Sequence, residues 1–101
     1  MDLNKSLRIA VDSGKAEFGT KSTKTHALNG TGKLVIIAEN CKTEEKNDLV
    51  HFCKMSKLAY LLFDGTSMDL GVVCGKPFAV SAMTVLEAGD SDVLDAPQIQ
   101  R

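Results

Sequence analysis

The chain has 101 residues, 44% of them apolar, with twelve basic against thirteen acidic side chains and a net charge of −1. That length predicts one domain over 1–101, which removes roughly two-thirds of its unfolded surface from water and needs no disulfide or metal to hold it. The charge balance lacks the whole-chain signature of a nucleic-acid binder, and no apolar run approaches the roughly 18 residues that span a bilayer.

The first stretch, MDLNKSLRIAVDSGK, is charged and amphipathic rather than a signal peptide, and Cys41, Cys53 and Cys74 form no CxxC pair. A soluble intracellular protein with reduced thiols is expected. Leu3, Leu7, Ala10 and Val11 recur at helical spacing between a capping Asp2 and a terminating Gly14. Ala16–Phe18 predicts a short strand ending at Gly19. Thr20–Asn29 predicts a second helix, capped by Thr20 or Ser22, closed by Gly30, with Ala27 and Leu28 facing inward. Leu34–Ala38, too short for a helix and β-branched in its middle, predicts a central strand covered on both faces. Thr43 is placed to cap a third helix whose Glu44 and Glu45 lie at its positive end, with Leu49, Phe52, Cys53 and Ser56 on one face. Ala59–Phe63 repeats the buried-strand pattern, and Asp64-Gly65-Thr66 turns the chain. Ser67 then caps a short helix running to Gly75, and Pro77 ends it. Phe78–Leu86 alternates as a last strand, and from about residue 87 an acidic tail is expected to lose order.

Alternating helices and strands predict an α/β fold with helices on both faces of one sheet. In such sheets ligands meet the loops that leave the strand ends, here residues 19–24, 39–42 and 65–71. Between Gly14 and Ser22 the chain nearly spells a phosphate-binding loop, but one inserted residue breaks the spacing. What survives is a glycine before a helix start with Lys21 and Lys24 nearby, a place for an anion; the plainer reading is a capped helix with two solvated lysines. Lys15, Lys21, Lys24 and Lys33 against Glu17 leave residues 15–33 at +3, and residues 87–101 stand at −3, so a local basic face is compatible with the overall balance. Catalytic constellations are poor. Cys41 with His26 or His51 has no nucleophile signature, and His51 and Cys53, two apart on a helix, point to different sides; Cys53 reads as core and His51 as exposed.

Five motifs occur in order: Gly19-Thr20-Lys21-Ser22-Thr23-Lys24; Lys33-Leu34-Val35-Ile36-Ile37-Ala38-Glu39-Asn40; Phe63-Asp64-Gly65-Thr66-Ser67 with Leu70-Gly71; Gly75-Lys76-Pro77-Phe78; and Leu86-Glu87-Ala88-Gly89-Asp90-Ser91-Asp92. Together they span nearly the whole chain and resemble the archaeal and eukaryotic ribosomal L-thirty-e family, within the L-seven-Ae superfamily of kink-turn RNA binders. The resemblance implies a three-layer α/β/α sandwich with a four-stranded mixed sheet. It implies a non-catalytic protein of the large ribosomal subunit, cytoplasmic, without cofactor or metal. Its partners would be kink-turn rRNA and other ribosomal proteins, with no membrane association, and it would be monomeric when free. Carried over by position, Gly19 permits close backbone approach, Thr20 lies at the helix start, Lys21 contacts the RNA at the kink, and Lys24 adds a phosphate contact. Asn40 would bond a base or sugar edge, Ser67, Leu70 and Gly71 would shape the loop and short helix that meet bulged nucleotides, and Phe78 would stack on or pack beside an unstacked base. No contact is transferred to Glu44 or Glu45. Two alternatives remain at this point: a kink-turn protein of another ribonucleoprotein particle, and a small α/β module that binds a phosphorylated ligand.

Overall fold

The computed structural model describes residues 2–100, in the order α1 (Leu3–Ser13), β1 (Lys15–Phe18), α2 (Thr20–Asn29), β2 (Leu34–Ala38), α3 (Thr43–Ser56), β3 (Tyr60–Phe63), α4 (Ser67–Val73) and β4 (Ala82–Glu87), with a 3-10 turn at Val93–Asp95. The strands form one mixed sheet in the order β1-β4-β2-β3. β2 pairs parallel with β3 and antiparallel with β4, and β4 pairs antiparallel with β1, so β1, β2 and β3 all run the same way.

Side chains along β2 alternate between two cores, because successive residues of a strand point to opposite faces. Leu34, Ile36 and Ala38 pack with Leu7 and Ala10 of α1, Leu70 of α4 and Cys74 just beyond its end. Val35 and Ile37 pack with Ala27 of α2 and Leu49 and Cys53 of α3. All five residues of β2 are fully buried, so the strand is covered on both sides and the three-layer α/β/α sandwich follows.

Several local expectations are corrected. Leu28 is 60% exposed, because α2 seats its inner face through Thr23 and Ala27, four residues apart, and Leu28 falls beyond that stripe. Leu62 is also exposed, since β3 is an edge strand. The last strand begins at Ala82 rather than Phe78. The acidic tail is docked rather than fading: Val93 and Ala96 are buried against the α1 side of the sheet. The Ser6 hydroxyl donates to Asp92 at 2.6 Å, and the Ser91 hydroxyl donates to the Ser6 carbonyl at 2.5 Å. Gln100 and Tyr60 exchange backbone hydrogen bonds. Arg101, counted above in the tail charge, lies outside the described residues.

Candidate nucleic-acid interface

The topology gathers the carboxyl ends of β1, β2 and β3 and the amino end of β4 along one rim. A chain of close contacts joins the segments there. The Gly19 N–H donates to the Ala82 carbonyl at 2.9 Å, Glu39 N–H to the Gly65 carbonyl at 2.9 Å, and Val80 N–H to the Ser67 carbonyl at 3.0 Å. Ser67 N–H donates to Oδ1 of Asn40 at 2.7 Å. The rings of Phe18 and Phe78 meet edge-to-face with centroids 6.3 Å apart. Gly19, Thr20, Lys21, Asn40, Ser67, Gly71 and Phe78 are therefore brought to one connected edge.

Gly19 is the N-cap of α2, with φ +111° and ψ 148°, a conformation open almost only to glycine. Nothing lies within 4 Å of where a Cβ would sit, so the position faces open space. No side chain caps α2, neither Thr20 nor Ser22 of the two expected alternatives; Ser22 donates instead to Glu17 at 3.1 Å, and the Thr23 hydroxyl donates to the Gly19 carbonyl at 2.7 Å. The first helical bond runs from Thr23 N–H to Gly19, so the amides of Thr20, Lys21 and Ser22 precede the ladder at the positive end of the helix dipole. α3 likewise has no side-chain cap: its N-cap position is Lys42, and Thr43 is the first helical residue. By contrast α4 is closed by a capping box in which Thr66 and Asp69 bond each other's backbone, not by Ser67.

Asn40 is exposed at the end of β2. A backbone N–H must meet its carbonyl oxygen, so the Ser67 bond fixes the amide and turns the two-donor Nδ2 group away from that contact. Leu70 is fully buried and Ser67 and Gly71 are buried; they shape the rim from beneath. A Cβ on Gly71 would run into the Phe78 carbonyl oxygen, so the missing side chain lets the Phe78 segment lie directly on α4. Phe78 itself is 50% exposed.

Charge along the rim is polarised. Lys21 is exposed on the β1 side, and Lys76 holds its Nζ 5.0 Å from the centre of the Phe18 ring. Lys24 is drawn toward α3, its Nζ 3.9 Å from Asp48. Glu39 and Asp64 follow β2 and β3, on the other half of the rim. The +3 segment does not form one face: Lys15 opens β1 and Lys33 immediately precedes β2, so both lie at the opposite end of the sheet from Lys21. Sequence reasoning passed over Phe18, Lys42 and Lys76. An aromatic residue directly before the strand-ending glycine was the available signal for Phe18; Lys76 is defined by a cross-chain contact that no local pattern carries.

The titratable groups do not assemble a nucleophile. Nε2 of His26 lies 2.9 Å from Glu17, and its Nδ1 lies 2.6 Å from the Thr31 hydroxyl. The hydrogen bond from His26, with that from Ser22, holds the Glu17 carboxyl below its usual range. Burial pushes the Cys41 thiol up, and those of Cys53 and Cys74 to about 11. Cys53 is core and His51 exposed. Among the described residues no group of three or more His, Cys, Asp or Glu is arranged to hold a metal ion.

The model of the ribosomal protein L7Ae/L30e/S12e/Gadd45 family matches residues 1–95. Proteins named large ribosomal subunit protein eL30 are similar over most of their length. That of Methanococcus vannielii is 45% identical over 95 residues, 94% of this chain and 90% of its own. That of Methanococcus maripaludis is 43% identical with the same coverage. That of Methanothermobacter thermautotrophicus is 40% identical over 94% of this chain and 97% of its own.

Proposed function

The chain belongs to the ribosomal protein L7Ae/L30e/S12e/Gadd45 family, and on that premise we propose that it is a structural, non-catalytic constituent of the large ribosomal subunit in the cytoplasm, whose residues 1–101 act as one domain that receives kinked rRNA along the strand-end rim. The names of its relatives favour the ribosome over another ribonucleoprotein particle.

The observation that carries the RNA reading is the uncapped start of α2 at Gly19, set on one rim with Lys21, the oriented amide of Asn40 and the exposed ring of Phe78. A sharp bend in RNA splays bases out of the stack and turns phosphates toward whatever fills the bend. Lys21 and the free amides of α2 suit phosphates. The Nδ2 group of Asn40 suits a base or sugar acceptor, and Phe78 offers a half-exposed aromatic surface for an unstacked base. Lys24, already leaning to Asp48, adds a weaker phosphate contact. Ser67, Leu70 and Gly71 act by holding the rim in shape.

A salt titration of a kink-turn hairpin tests this. Affinity should fall as salt rises, and Lys21→Ala should flatten the log–log slope by about 0.7 to 0.9, the loss of one phosphate contact. A hairpin bound no more tightly than a straight duplex of equal length overturns the reading.

A further inference from the structure

At the end of the sheet opposite the rim, where β2 and β3 begin and α2 and α3 end, lies a cavity of about 540 Å³ whose lining includes Lys33, Lys54, Lys57 and Tyr60 and no carboxylate. All three lysines are exposed. None is in an ion pair among the described residues, where the pairs are Arg8–Asp12, Lys24–Asp48 and His26–Glu17. The hydroxyl of Tyr60 also finds no partner there. Lys57 ends α3 in the left-handed conformation, φ 58°, a place where glycine or asparagine is the less strained choice.

The ordinary role for these cations is to offset the negative ends of α2 and α3, but the local bonding leaves little for them to do. The N–H groups of Gly30 and Thr31 donate to the last carbonyls of α2, and the Ser56 hydroxyl donates to the Ala27 carbonyl at 2.6 Å. Leu58 N–H donates to the Cys53 carbonyl at 2.9 Å. Two helix ends carry about −0.5 each, against three ammonium groups, so the cavity keeps a positive surplus.

We propose that this cavity is a second phosphate site, taking the phosphodiester backbone of a separate RNA segment, so that the protein joins two RNA segments across its length. The source of that RNA rests on the ribosomal reading above; the chemistry rests on the cavity. Exposed cations with one unpartnered hydroxyl, that of Tyr60, suit a phosphate backbone, which positions without specifying sequence. The five-residue strand β2 runs from one site to the other, a separation of roughly 16 Å at about 3.3 Å per residue and about twice the screening length of about 8 Å at physiological salt, so the two sites should load largely independently.

The test adds a labelled straight 12-base-pair RNA duplex to protein already saturated with a kink-turn hairpin. A ternary complex is expected. The combined Lys33→Ala, Lys54→Ala and Lys57→Ala variant should lose roughly tenfold or more in duplex affinity and flatten its salt slope by about 2, with hairpin affinity and melting temperature unchanged. Lys57→Asn, which suits the backbone at that position, repeats the test should the triple variant fail to fold, and should weaken the duplex alone. The proposal is overturned if these variants bind duplex as the parent does, if the hairpin excludes the duplex, or if inorganic triphosphate displaces the duplex at micromolar concentration. Lys21→Ala separates the two readings. If the parent fails to hold the hairpin while duplex binding still needs the three lysines, the rim reading falls and this one stands.

Discussion

Asn40 does two jobs with one amide: its oxygen holds the first N–H of α4, and its nitrogen is left to face a ligand. The two can be separated by substitution. Asn40→Ala should lose about 1–2 kcal/mol of stability in urea denaturation, because the Ser67 N–H loses its acceptor, and should weaken kinked RNA. Asn40→Asp retains an acceptor for Ser67, so stability should stay near that of the parent, while the donors facing RNA are replaced by a negative charge. Parent-like hairpin affinity in Asn40→Asp removes the amide from the interface. Gly19 makes the complementary case, since its constraint is backbone and not space. Gly19→Ala should cost about 1–3 kcal/mol in thermal denaturation through strain alone, with no clash to relieve. A variant as stable as the parent means that the conformation at Gly19 is not held in solution. At this scale the sequence announces the rim residues but not their bonding. Asn40 and Ser67 are 27 positions apart, and nothing local to either reveals that one orients the other.

The elements follow from the sequence where burial dictates them, and shift where only capping chemistry does. The run Leu34–Ala38 is apolar at every position and can only be a strand covered on both faces. Thr20, Ser22, Thr43 and Ser67 all have the side chains of good caps, yet none of them is the cap: α2 and α3 have Gly19 and Lys42 at the N-cap position without a side-chain cap, and α4 is capped by Thr66. Gly19 still donates to β4 while its carbonyl accepts the first bond of α2, so Gly19 itself is the half-helical residue. The tail misleads for a different reason. Its apolar residues are sparse among acids, and the burial of Val93 depends on α1, some eighty residues earlier. Val93→Ala should therefore cost about 2 kcal/mol, the transfer of two methyl groups plus a small cavity, seen as a lower midpoint in chemical denaturation. An unchanged midpoint means that the tail does not stay docked in solution.

At the scale of the whole molecule, a net charge of −1 conceals two separate cationic ends, because parallel β1, β2 and β3 put the lysines that open or precede strands at one end and the lysines that follow them at the other. That separation comes from strand order, which charge counted along the chain does not contain, and it is why the +3 segment splits when the sheet forms. It also sets how steeply hairpin binding should respond to salt. Lys21, Lys42 and Lys76 are the rim cations without a carboxylate partner among the described residues, whereas Lys24 is turned to Asp48. Three phosphates neutralised at 0.7 to 0.9 each give a log–log slope of about −2 to −2.7 for the hairpin. Lysines at the far end lie too distant to meet the same bend, so Lys33→Ala and Lys54→Ala should leave that slope unchanged when measured by fluorescence anisotropy between 50 and about 300 mM salt. A slope near −5, or one flattened by those far-end substitutions, requires the hairpin to reach both ends of the sheet, and the division into two phosphate-facing ends is then wrong.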